Sequence, residues 1–284
     1  MSADMPPDHV LAAFGLTGVR PVPLGSSWEG GWRCGEVVLS MVAEHARAAW
    51  SAKVRETLFV DGVRLARPVR STDGRYVVAG WRADTFVTGT PEPRHDEVVS
   101  AAVRLHEATA KLERPRFLTQ PPSVPWSDVD VFVAADRAAW EERPLHSLPA
   151  GAMVAPGGAD GQRSVELISQ LATLRRPTRS PSQLVHGDLY GTVLFAGTAA
   201  PGITDITPYW RPASWAAGVV VVDALAWGEA DDGLVERWAP LPEWPQMLLR
   251  ALMFRLAVHA LHPRSTAAAF PGLARAAALV RLIL

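Results

Sequence analysis

Several things are scarce in this sequence, and each shortage closes off a class of chemistry. A single cysteine, Cys34, stands among 284 residues, so no internal disulfide can form and a cysteine-based metal site lacks thiols. The formal net charge of −1 at pH 7 leaves no basic excess to track a phosphate backbone, which argues against nucleic acid as a partner. Long hydrophobic runs are missing too. The most apolar stretch, residues 213–226, is interrupted by Gly218 and Asp223 and is too short to span a bilayer. The start, Met1-Ser2-Ala3-Asp4, is acidic and has no apolar signal core, so a cytoplasmic protein is expected. The basic residues include only two lysines, Lys53 and Lys111. Codon bias in a GC-rich genome explains that, but it leaves lysine chemistry few places to live.

What is present suffices for a folded protein. Hydrophobic residues make up 48% of the chain, enough for one large domain or two lobes. There is no Gly-x-Ser-x-Gly elbow and no Gly-x-Gly-x-x-Gly fingerprint. His259 and His262 lie three apart on a predicted helix near Pro263, without a third ligand, and read as packing and capping groups rather than a zinc site.

Taken in order, residues 7–14 read as a short helix ending at Gly15. Gly25, Gly30 and Gly31 punctuate the stretch before a strand at 36–42, and they fit either a hairpin turn or a cradle of backbone N–H groups for phosphates. Residues 43–58 form a helix with Ala46, Ala49, Trp50, Val54 and Leu58 as its apolar stripe. Asp73-Gly74 is a tight turn, 75–86 a strand, and Phe86-Val87-Thr88-Gly89-Thr90-Pro91 a connector. Helices are expected at 96–112, with Val99, Val103, Leu105 and Leu112 inward, and at about 127–141. A proline-rich break (Pro115, Pro121, Pro122, Pro125) separates these two, and 144–161 reads as a surface loop. Further helices are expected at 165–174, 213–227, 233–238, 244–262 and 267–284.

The most informative stretch is Leu184-Val185-His186-Gly187-Asp188-Leu189-Tyr190-Gly191-Thr192-Val193-Leu194-Phe195, followed by Ile203-Thr204-Asp205. Asp188 alone would be an ordinary turn aspartate. Flanked by apolar strands, with His-Gly before it and Asp205 after it, it resembles the catalytic loop and metal-binding aspartate of the aminoglycoside phosphotransferase family. The text Asp205-Ile206-Thr207-Pro208-Tyr209-Trp210-Arg211-Pro212 is similar to a narrower, actinobacterial set of phosphotransferase-like proteins. The resemblance runs over nearly the whole chain.

It implies an α+β, two-lobed protein-kinase-like fold, with a nucleotide-binding lobe at 1–86, a hinge at 87–91 and a mainly helical lobe at 92–284. It implies ATP or GTP with Mg²⁺, and a small-molecule hydroxyl as acceptor. Asp188 would orient or deprotonate that hydroxyl, His186 would shape the loop, and Asp205 and Thr192 would hold the metal. Gly25, Gly30 and Gly31 would cover the phosphates, and the backbone at Phe86 and Thr88 would meet the base.

Two positions depart from the family pattern. Ser40 stands where a strand lysine normally holds the α- and β-phosphates, and Thr192 where an asparagine normally helps bind magnesium. Glu56 lies where the lysine's helix partner is expected, and Lys53 is one turn away. The two form either a rewired charge pair at the phosphates or a solvated surface pair. Arg211 fits either a phosphate or substrate contact, or a stack on Trp210 or Tyr209. Asp231 and Asp232, with Glu229 and Glu236, lie where related enzymes bind cationic substrates, and equally suit a helix N-terminus. Two functions follow: a small-molecule kinase, or a pseudokinase that keeps the fold and binds a metabolite or protein partner.

Overall fold

The computed structural model of the chain describes residues 5–120, 127–143, 145 and 158–284. They form two units, Met1–Phe117 with Leu184–Tyr209, and Leu118–Gln183 with Trp210–Leu284. Part of the proline-rich break and most of the expected surface loop fall outside the described residues.

The first unit begins with α1 (Asp8–Ala13) and an antiparallel sheet. Its strands are β1 (Val22–Pro23), β2 (Trp32–Cys34), β3 (Val37–Met41), β5 (Pro68–Val69), β6 (Val77–Val78) and β7 (Trp81–Thr85), in the order β1-β2-β3-β7-β5 with β6 on β7. Side chains alternate between faces along each strand. Cys34, Leu39, Trp81 and Ala83 pack on one face with Val10, Leu11 and Phe14 of α1. The register Val38↔Asp84 and Ser40↔Arg82 then puts Ser40, Arg82 and Asp84 together on the other face, all buried.

Helix α2 (His45–Thr57) buries Ala48, Ser51, Ala52 and Arg55, not the expected stripe of Ala46, Ala49, Trp50, Val54 and Leu58. The reason is electrostatic. Arg55, wholly buried, donates to Asp84 Oδ1 at 2.7 Å and to the Ala66 carbonyl at 2.7 Å, so the polar pair Ser51 and Arg55 sets the phase of the helix.

β4 (Arg64–Leu65) runs parallel to β9 (Gly202–Ile203), and β8 (Gln183–His186) pairs with β10 (Pro208–Arg211). Helix α3 (His95–Thr109) is tied to β8: Thr109 Oγ1 donates to the Leu184 carbonyl at 2.8 Å, and the His186 N–H donates to His106 Nε2 at 3.0 Å. These bonds tie α3 to the start of the 184–209 stretch.

In the second unit α4 (Asp128–Ala139) starts with a capping box between Ser127 and Asp130, and α5 (Gly158–Ala172) begins earlier than expected. α6 (Ala213–Trp227), α7 (Leu234–Arg237), α8 (Trp244–Leu261) and α9 (Ala269–Leu282) follow close to the expected bounds. α6 is apolar all round and buried, as such a helix must be. Its one charge, Asp223, receives both Nε (2.7 Å) and Nη2 (2.5 Å) of Arg255 on α8. Among the described residues no helix is long and apolar enough to cross a membrane.

Two outcomes follow. Asp223→Ala leaves the buried Arg255 guanidinium without its carboxylate and should cost about 3–5 kcal/mol, read as a lowered urea midpoint with an unchanged slope; a loss under about 1 kcal/mol would show that the pair carries no such weight. The second concerns acid. Burial lowers His106 from 6.5 to about 3 and His186 to about 4. Both folded values lie below the unfolded one, so the unfolded chain takes up protons first as pH falls. Stability should be full above about pH 6.5 and decline from there through about pH 4, at up to about 1.4 kcal/mol per pH unit for each histidine. His106→Gln, which keeps an acceptor for the His186 N–H, should flatten that slope, and an unchanged slope would refute the assignment.

Candidate active site

The loop after β8 is built by its own backbone bonds. The Asp188 N–H donates to His186 Nδ1 at 3.1 Å, so the imidazole shapes the turn, and Asp188 is half-buried at its end. A side chain at Gly187 would run into the Tyr209 ring, which explains the glycine between histidine and aspartate. Thr192 Oγ1 lies 3.1 Å from the Asp188 carbonyl and 3.0 Å from that of Leu189. Its hydroxyl proton is spent on closing the loop.

Asp205 is bound from three sides. Ser51 Oγ donates to Oδ1 at 2.5 Å, Arg55 Nε lies 3.3 Å from the same oxygen, and Arg82 Nη1 donates to Oδ2. Burial alone would raise this carboxyl, but the Arg82 and Arg55 guanidiniums, with the Ser51 hydrogen bond, outweigh it and hold it far below the usual carboxylate range. Arg82 also meets Asp84 at 3.5 Å and Glu29 at 3.1 Å. Two guanidiniums therefore face three carboxylates. Ser40 sits beside this network with 3% exposure, and its short side chain leaves room for Arg82 on the neighbouring strand. The positive charge that the sequence lacks at position 40 is present one strand away.

Arg82, Asp84, Arg55 and Ser51 were not among the residues singled out from sequence. Arg82 and Asp84 alternate with Trp81 and Ala83 in one short strand, and two opposite charges on one face of a strand are a readable sign. Ser51 and Arg55, four apart in a helix, are a weaker one.

Lys53 and Glu56 are not brought to this network. Glu56 is exposed and held by Arg70 (2.9 and 3.0 Å) and the Tyr76 hydroxyl (2.7 Å), which bring its carboxyl to about 2. Lys53 is exposed, two residues from both Ser51 and Arg55 and so on the far side of the helix. The rewired pair does not form.

The glycine stretch folds as a 3₁₀ turn, Ser26–Trp28. The N–H groups of Trp28 and Gly30 donate to the Gly25 carbonyl, that of Glu29 to Ser26, and that of Gly31 to Trp28. Four amides are thus spent inside the turn and do not face a phosphate. A Cβ at Gly31 would come within 2.5 Å of Ser40 Oγ and 3.0 Å of the Leu39 carbonyl, so the turn lies directly on β3. At the expected hinge the Phe86 N–H donates to the Glu36 carbonyl, and Arg64 donates to the Thr88 carbonyl at 3.1 Å and to Thr88 Oγ1 at 3.3 Å.

Magnesium requires several oxygens in near-octahedral order, usually with one or two carboxylates. Asp205 already carries two guanidiniums and a hydroxyl, Thr192 closes its own loop, and among the described residues no group of three histidine, cysteine or acidic side chains is placed to hold a metal ion. As arranged, these residues do not fit Mg²⁺.

The remaining candidates lie in the second unit. Arg211 is buried and clamped by Asp136 (2.8 and 2.6 Å) and Glu142 (2.6 Å), with Trp140 against its guanidinium at 4.9 Å. It is an internal tie of that unit, not a group presented to substrate. Asp231 is taken by Arg237 at 2.8 and 3.0 Å, and Asp232 is exposed at the start of α7.

By sequence, no protein-family model and no curated protein matches the chain. By structure, the chain is similar to a microcompartment-associated aminopropanol kinase, at 17% identity and a TM-score of 0.56 over 93% of this chain and 91% of that one. An aminoglycoside phosphotransferase from Alicyclobacillus acidocaldarius aligns at 14% identity and 0.55, over 99% and 94%. A spectinomycin phosphotransferase in complex with ADP and spectinomycin aligns at 10% and 0.52, over 96% of each. The chain therefore has the two-lobed kinase-like α+β fold found in aminoglycoside phosphotransferases.

Proposed function

We propose that this chain is a phosphotransferase-like protein whose fold serves ligand binding, a pseudokinase whose partner is a small metabolite or another protein. The observation that carries this reading is the closure of Asp205. A carboxylate meant for a metal that bridges phosphates must offer free oxygen lone pairs, and here Arg82, Arg55 and Ser51 take up three of the roughly four acceptor directions. The spent amides of the glycine turn and the neutralised guanidiniums point the same way. With Glu29 in place, three carboxylates against two arginines repel a phosphate.

A second reading is supported by Asp188. It is half-buried at the end of a loop whose histidine keeps it in shape, and the structurally similar proteins include kinases of an amino alcohol and of aminoglycosides. In that reading a cytoplasmic enzyme moves the γ-phosphoryl group of ATP or GTP, with Mg²⁺, onto a small-molecule hydroxyl. The hydroxyl oxygen bonds to phosphorus, its proton passes to Asp188, and the nucleoside diphosphate leaves.

Turnover separates the two. Phosphate release and transfer from ATP and GTP, with and without Mg²⁺ and across a panel of amino alcohols and aminoglycosides, should be no faster for the wild-type protein than for Asp188→Asn. A positioned general base is worth about 10²–10⁴ in rate, so wild-type turnover about a hundredfold above the Asn variant would establish the kinase and overturn the binding-protein reading.

A further inference from the structure

The 3₁₀ turn carries an indole and, on the next residue, a carboxylate, and both are held by residues distant in sequence. Trp28 is 6% exposed although it lies on a connecting turn. It packs with Val38, Ala66, Val87 and Leu194, and with the partly buried Leu24 and Phe86. Its ring stacks on Phe86 at 5.8 Å between centroids and 20° between planes. Those residues come from five places: the start of the turn, β3, the stretch before β5, the connector after β7, and the segment after the Asp188 loop. Without the indole they would line a flat apolar slot. Glu29, the next residue, is in the left-handed region at φ 54°, which is unfavourable for a side chain of its kind. That conformation sets its carboxylate on Arg82 Nη2 at 3.1 Å. Thr204 Oγ1, adjacent to Asp205, donates to the Ser27 carbonyl at 3.1 Å and pins the turn down.

We propose that the Trp28-Glu29 pair occupies this protein's own ligand site, the indole filling a slot for a planar base and the carboxylate taking the cation meant for that ligand's phosphate. The chemistry of the two subsites names the ligand class. A flat apolar slot takes a heteroaromatic ring, and a buried guanidinium within reach takes an anionic oxygen, so the complement is a nucleotide, with the purine most suited to a slot that accepts an indole. The ligand binds only when the turn lifts. Free protein is therefore closed, and whatever draws the turn away opens it. This inference rests on the binding-protein reading of the same site and adds the site's occupant and its regulation.

Calorimetric titrations of adenosine, inorganic tripolyphosphate and ATP test it, on the wild-type protein, Trp28→Ala, Glu29→Gln and Trp28→Phe. Adenosine should bind Trp28→Ala at least about tenfold more tightly than wild type, with Trp28→Phe close to wild type. Tripolyphosphate should respond to Glu29→Gln and not to Trp28→Ala, and ATP to both. Glu29→Gln alters charge at the surface of the turn without opening the core, so it remains decisive should Trp28→Ala fold poorly. Tight ATP binding by wild type that neither substitution changes, or no gain in any folded variant, would overturn the proposal. The turnover assay stays independent. An opened variant that binds ATP and transfers phosphate would end the binding-protein reading while leaving the self-occupied site standing, and one that binds without transfer would leave both.

Discussion

Asp205 lies between two guanidiniums, and the architecture of the first unit depends on that contact. Arg82 reaches it from β7 and Arg55 from α2, and both arginines also hold Asp84. One helix, one strand and the segment after β9 are therefore locked through four charged side chains. Buried charges are tolerated only when paired and hydrogen-bonded, and removing one partner strands the rest. The network cannot be loosened at one residue without cost at the others. In a fold usually associated with catalysis, the carboxylate expected to recruit a metal has become a fastener.

The same contact explains why a serine suits position 40. A lysine there would put a third cation beside Arg82 and Arg55. Serine removes that conflict, lets Arg82 cross from the adjacent strand, and is small enough for Gly31 to rest on it. Ser40 and the glycine turn are therefore packed as one piece. Thr192 is a separate matter. Its hydroxyl finds backbone acceptors within its own loop, as a short β-branched side chain there readily does.

Much of the fold was legible in the sequence. Helices α6, α8 and α9 follow from their apolar length and their flanking Pro and Gly, and β3 from its valines. The shape of the Asp188 loop follows from His-Gly-Asp. The phase of α2 was misread because an apolar stripe is only a proxy for the buried face, and here the buried face carries Arg55 and Ser51, whose partners lie 29 and 154 residues away. Long-range ion pairs leave no local periodicity. The tie of Arg211 was hidden for a similar reason: its carboxylate partner Asp136 is 75 residues distant. Lys53 is a rare lysine and lies one turn from Glu56, but neither rarity nor spacing says which way that face of the helix points.

Trp28 sharpens the point. In the sequence it is an aromatic within a glycine-rich stretch, and nothing local says what it packs against. Its burial follows from packing against Val38, Ala66, Val87 and Leu194 and from the stack on Phe86. The turn is short, its amides satisfy one another, and an indole left in water would cost about 2–3 kcal/mol relative to burial. With an apolar slot beside it lined by Val38, Ala66 and Leu194, the turn closes over its own aromatic. The geometry then sets Glu29 on Arg82 at no further rearrangement, and that carboxylate completes the neutralisation Asp84 and Asp205 began. One short turn thus fixes an indole and a carboxylate together, and displacing either disturbs both.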